Sequence, residues 1–253
     1  MGSTIAEEEL KIGGRVLDLD DLAHAPAEYR DLLVQLLLVQ ADGEIGVRDL
    51  GYFELIGKFP TAADQWMAAR VATEEIGHFR YANAVLNHVG YDASHRVFVD
   101  RSERYLGLFR HEMHDWVEFV TFKGVVETMG RLLLEGMFHC NFLPWRATVR
   151  RIWQEEKGHI GFGVTRLRRL CATDEGRERA QAALDTWYPR VGAVARPSRF
   201  SQACLDWGLR DLSNEELAAR FRAETNPWIE ELGLQVPGGH PAGGGLDRCG
   251  LDR

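Results

Sequence analysis

The pair Glu-x-x-His occurs twice in this chain, inside the near-identical words EEIGH (Glu74 to His78) and EEKGH (Glu155 to His159). On a helix, positions i and i+3 share a face, so Glu75 with His78, and Glu156 with His159, each present a carboxylate and an imidazole to one point. Each pair is half of a metal site, and its oxygen and nitrogen donors suit iron or manganese. A single Glu-x-x-His arises readily by chance. Two copies, each led by a further Glu and each deep inside a long helical pattern, do not.

The remaining donors must come from neighbouring helices at the same depth. In an antiparallel hairpin, residues equidistant from the turn lie level. Glu44 and Glu75 flank a turn near Lys58 to Pro60, and Glu127 and Glu156 flank one near Asn141 to Leu143. Their separations, 31 and 29 positions, are those of two quasi-equivalent hairpins. Asp42 lies near Glu44, whereas Glu54, Glu118 and Glu135 fall at the wrong depth. Glu44 follows the apolar run LLVQLLLVQ and Glu127 sits within FVTFKGVVETMGRLLL, where a carboxylate is costly unless paired or metal-bound. The expected ligands are therefore Glu44, Glu75, His78, Glu127, Glu156 and His159, around two iron ions or a manganese–iron pair. Glu74 and Glu155 point about 100° away from them, either as hydrogen-bond acceptors behind the ligands or as surface charges. The word HEMH at His111 to His114 has histidines three apart, not the four of a zinc-protease helix. His139 and Cys140 receive no role.

Helical spacing of apolar residues supplies the elements that position this set. It predicts one helix from Ala27 to about Leu55, a second from Pro60 and Thr61 to about Val89, a third through HEMHDWVEF to GMFH, and a fourth from Pro144 to about Cys171. A fifth opens on Thr173, with shorter helices following to about Glu231. No segment alternates as a strand. The expected fold is all-α: an N-terminal extension (1–26), a ferritin-like di-iron four-helix bundle (27–172), additional C-terminal helices of the same domain (173–237) and a disordered Gly-rich tail (238–253).

The chain has 253 residues, 45% of them hydrophobic, enough for a sizeable core. No apolar run reaches membrane-spanning length and the first residues lack a signal-peptide pattern, so a cytoplasmic location is expected. Four cysteines without a C-x-x-C pair suggest reduced thiols, and a net charge of -8 argues against nucleic acid. No dinucleotide fingerprint, flavin signature or cysteine cluster is present, so redox chemistry here needs electrons from an external reductase.

With QADGEIG, EEIGH, DWVEF…VVETMG, PW…IWQEEKGHIGFG and LDWGLRDLSNEEL…PWIEELGLQVP in place, the chain resembles the catalytic subunit of the phenylacetyl-CoA epoxidase family, from about residue 27 to 237. That family is the phenylacetic acid catabolism branch of the ferritin-like di-iron monooxygenases. The resemblance implies insertion of one oxygen atom from O₂ into an aromatic acyl-CoA to give a ring epoxide. It also implies a separate flavin and iron–sulfur reductase and a metal-free bundle subunit beside the catalytic one. The family pattern has Asp followed by Arg-Ala-Gly where this chain has Glu127 in ETMG, and this chain is short for that subunit. Rival readings are an oxidase or hydroxylase of a biosynthetic substrate, a ferroxidase or storage protein, and a non-catalytic partner subunit. The bulky Trp116, Trp145, Trp153 and Phe162 on the metal helices suggest a substrate cavity over a storage shell.

Overall fold

A computed structural model describes residues 5–10 and 14–238. All but residue 238 of the expected disordered tail lies outside the described residues. The helices run α1 (Glu7–Leu10), α2 (Leu19–Leu22), α3 (Ala27–Gly46), α4 (Tyr52–Ile56), α5 (Ala62–His88), α6 (Trp116–Glu135), α7 (Leu143–Leu170), α8 (Asp174–Val194), α9 (Arg199–Asp206) and α10 (Asn214–Glu231). No strand occurs among the described residues; the one bridge joins Leu17 to Phe142. The fold is ferritin-like and all-α. The hairpins α3/α5 and α6/α7 meet along α5 and α7, and α8 and α10 pack on α6.

The long helices begin where the sequence offers caps. Thr61 accepts from the Asp64 amide ahead of α5, Thr173 from Gly176 ahead of α8, and Ser213 forms a reciprocal capping box with Glu216 ahead of α10. Pro144 sits in the first turn of α7, where its missing N–H has no intrahelical acceptor to lose. Gly90, at φ +84°, ends α5 in the left-handed conformation that glycine adopts freely.

Three boundaries differ from expectation, among them the end of the third helix, which falls at Glu135 and not His139. The first helix does not run to Leu55: α3 stops at Gly46, and Gly51 at φ +84° redirects the chain into α4. Phe109 packs so closely on Gly46 that a Cβ there would meet its ring at 2.8 Å, so the bend follows a tertiary contact. The third helix begins at Trp116, not His111, because Asp115 accepts from the amides of Val117 and Glu118 and caps it.

Two close approaches set the depth of the helices. At Gly163 of α7 a Cβ would lie 2.6 Å from the Val120 carbonyl oxygen and 2.8 Å from the Gly124 nitrogen, so α6 and α7 touch backbone to backbone. The connector between α5 and α6 is tied to α3 through fully buried Asp42. Its carboxylate accepts from Arg96 Nε (2.9 Å), Arg104 Nη1 (2.8 Å) and the Tyr105 amide (2.8 Å), which compensates its loss of water. The segment ahead of α3 is also tied in, since Leu17 exchanges backbone hydrogen bonds with Asn141 and Leu143 at the α6/α7 turn.

Candidate metal centre

The four bundle helices bring all six expected ligands together. Glu44 comes from α3, Glu75 and His78 from α5, Glu127 from α6, and Glu156 and His159 from α7; every one is buried. They form two overlapping groups, Glu44–Glu75–His78–Glu156 and Glu75–Glu127–Glu156–His159, and within each group the donor atoms lie within 4.8 Å of one another. Glu75 and Glu156 belong to both. Two cations sharing two carboxylates would fit this topology, each with an imidazole and one carboxylate of its own.

The imidazole orientations suit that occupancy. His78 Nδ1 faces Glu156 Oε1 (3.1 Å), Glu44 Oε2 (3.3 Å) and Glu75 Oε2 (3.6 Å), while His159 Nδ1 faces Glu156 Oε2 (3.3 Å) and Glu75 Oε1 (3.4 Å). Both Nδ1 atoms and Glu156 Oε2 are buried without a hydrogen-bond partner. Orphaned buried donors and acceptors converging on one point are what a metal ion would satisfy.

Glu74 and Glu155, ambiguous in sequence, lie behind the histidines and cross over between helices. Glu155 of α7 contacts His78 Nε2 of α5 at 2.8 Å, and Glu74 of α5 contacts His159 Nε2 of α7 at 2.9 Å. A proton on Nε2 donated to the outer carboxylate leaves the Nδ1 lone pair for a metal. Each outer carboxylate also faces an arginine one turn back: Arg70 Nε is 2.7 Å from Glu74 and Arg151 Nε is 3.8 Å from Glu155. The repeat is thus longer than five residues, RVATEEIGH matching RIWQEEKGH, and that arginine was a signal available in the sequence.

Lys123 was not anticipated. Fully buried on α6, one turn before Glu127, its ammonium donates to Glu127 Oε1 (2.7 Å) and to Glu75 Oε1. Its place in the apolar run FVTFKGVVE was the available sign, since an unpaired lysine there is expensive.

Burial and crowding set the charges. Burial pushes Glu44 up to about 7 and Glu127 well above the carboxylate range, Glu127 with help from repulsion by Glu156. Burial also acts upward on Glu75 and Glu156, but the Lys123 ammonium and the imidazoles overcome it at Glu75, and His159 and His78 at Glu156, so both are held low. For His78 and His159 burial acts downward, and the surrounding carboxylates outweigh it and raise both. The site demands positive charge, which protons, Lys123 or metal cations supply in competition.

The carboxylates Glu44, Glu75, Glu127 and Glu156 open on a cavity of about 140 Å³ with largely apolar walls, among them Leu36, Phe109, Val126 and Leu133. Trp116, Trp145, Trp153 and Phe162 do not line it, contrary to expectation. Trp145 is core, its Nε1 donating to Met137 Sδ, Trp153 donates to Glu135, and Trp116 and Phe162 stack about Phe59.

Among the described residues no helix is long and apolar enough to cross a membrane. The chain is 23% identical over 219 residues to a 1,2-phenylacetyl-CoA epoxidase subunit of Escherichia coli (strain K12), covering 84% of this chain and 71% of that protein. Its backbone superposes with TM-score 0.62 on a Synechococcus protein with aldehyde deformylating oxidase activity, at 18% identity over 83% of this chain and 94% of that one, a likeness of fold. The profile of the Phenylacetic acid catabolic protein family matches residues 17–248, nearly the whole chain, and the chain belongs to that family.

Proposed function

We propose that this oxygenase uses two iron ions, or a manganese–iron pair, held by Glu44, Glu75, His78, Glu127, Glu156 and His159, to insert one oxygen atom from O₂ into an aromatic acyl-CoA. The observation that carries this reading is that the two donor groups share Glu75 and Glu156 and that the same carboxylates open on an apolar cavity. When bound, the metal pair supplies reductive activation of O₂ and transfer of one oxygen atom.

The protein's own residues bind, orient and exclude water. The cavity, about 140 Å³, matches in size the roughly 150 Å³ apolar cavity known to take up benzene, so it accommodates one aromatic ring. Glu74 and Glu155 hold the imidazoles in the metal-binding tautomer, and Lys123 offsets carboxylate charge. Ring epoxidation is the specific outcome, by similarity to the Escherichia coli relative named for that activity. Electrons come from a separate flavin and iron–sulfur reductase. A metal-free bundle subunit or a second copy of the chain completes the assembly, in keeping with the relative's being one subunit of its enzyme.

The test is reconstitution with ferrous iron under anaerobic conditions, followed by exposure to O₂ with phenylacetyl-CoA and a reductant. Two irons per chain, oxygen uptake stimulated by the thioester, and loss of both in Glu156→Ala are expected. Less than one metal ion per chain would sink the reading.

One observation favours a second reading, a non-catalytic partner subunit: Lys123 already lies between Glu75 and Glu127, where it can replace a cation. The unpartnered Nδ1 atoms of both histidines favour the first.

A further inference from the structure

Arg210 is a half-buried cation that the metal centre does not use. It follows α9, where its amide donates to the Cys204 carbonyl, and its side chain lines the cavity onto which Glu44 and Glu127 open. Its Nε is buried and has no hydrogen-bond partner. Nη2 donates to Asn214 Oδ1 at the start of α10. Burial lowers its pKa, outweighing the opposing pull of Cys204 and Glu215. A buried guanidinium N–H left without an acceptor is costly unless something else completes it.

Its location says what that is. The inner cavity, about 140 Å³, holds one ring and little more. Beside it lies a second cleft of about 660 Å³, with Arg196 and Arg222 on its walls, and Met129 and Asn214 line both. Arg210 thus lines the inner cavity and is held by Asn214, which borders both spaces.

We propose that Arg210 is a specificity-determining residue that donates through Nε to the acyl oxygen of the substrate, while the ring-sized apolar end occupies the inner cavity and Asn214 fixes the guanidinium. The inference rests on the reading of this cavity as the substrate site and names the group recognised there. A carboxylate and a thioester carbonyl both offer the required acceptor oxygen. A plain arene fills the same cavity without it.

Binding to the metal-free, full-length protein tests this without activity as a readout. Toluene, phenylacetate and phenylacetyl-CoA are titrated against the wild type and Arg210→Met. At least about a tenfold loss of affinity for phenylacetate or phenylacetyl-CoA is expected, since a charge-assisted hydrogen bond is removed, with toluene binding unchanged. Which acyl ligand loses affinity tells free acid from thioester. Equal affinities of the two proteins for both acyl ligands overturn the proposal, as does failure of the wild type to bind either. If Arg210→Met loses toluene binding as well, the cavity has collapsed, and Arg210→Lys, which keeps the charge but not the Nε donor, is read by the same criterion. Failure of iron loading bears on the oxygenase reading and leaves this readout intact.

Discussion

His78 of α5 and Glu155 of α7 are joined Nε2 to Oε2 across 2.8 Å, so the helix that supplies an imidazole relies on its neighbour to orient it. Glu74 and His159 form the reciprocal pair at 2.9 Å. Each EExGH word therefore carries a carboxylate and an imidazole for the centre and a carboxylate for the other word's histidine. Glu155→Ala frees the tautomer and rotation of His78. It is expected to weaken ferrous binding by roughly 10- to 100-fold while the other histidine keeps its orientation. Metal titration followed by iron analysis checks this, and unchanged affinity would show Glu155 to be a surface charge.

Lys123 pairs with both Glu75 and Glu127, where it would compete with the proposed metal ions. Lys123→Met removes the competitor, so the metal-free protein should lose about 3–5 kcal/mol from uncompensated buried carboxylates, while the metal-loaded protein binds its ions more tightly. Thermal melts with and without ferrous iron distinguish this from simple core damage, which would lower both transitions alike.

The glycines of α7 divide by what surrounds them. Gly163→Ala drives a Cβ to 2.6 Å from the Val120 carbonyl and should cost about 1–3 kcal/mol by forcing α6 from α7. Gly158, the glycine of EEKGH, has nothing within 4 Å of an added Cβ, so Gly158→Ala should be neutral or stabilising by up to about 1 kcal/mol. Urea unfolding of the two variants decides between them. A large loss from Gly158→Ala would show that the helix path itself needs that glycine.

Burial pushes the Cys140 and Cys204 thiols up to about 12, against an ordinary value of 9.0. A raised folded-state value means the native protein holds its thiol protons where the unfolded chain releases them. Their contribution to stability is complete below about pH 9, falls as pH rises, and is gone above about pH 12. Both thiols should resist alkylation at pH 8 in the native protein and react fully in denaturant, as mass spectrometry would show. Rapid native modification of either would contradict the buried placement.

Sequence alone determined the helical register and the six converging residues, because spacing of i and i+3 and equal distance from a turn are geometric consequences of a regular helix. Glu44 and Glu127 could be chosen over Glu54, Glu118 and Glu135 on depth alone. The break after Gly46 was not legible, since it depends on Phe109, 63 positions away, closing on that glycine. Nor was the partner of Lys123 legible, or whether Glu74 and Glu155 faced solvent or histidine, because each is settled across two helices. The cavity was misjudged for the same reason: Trp145 and Phe162 are buried in the core, Trp116 and Trp153 pack half-buried against it, and smaller side chains with Phe109 line the opening. Periodicity fixes which face a residue occupies, whereas which neighbour meets that face is decided only when the helices pack.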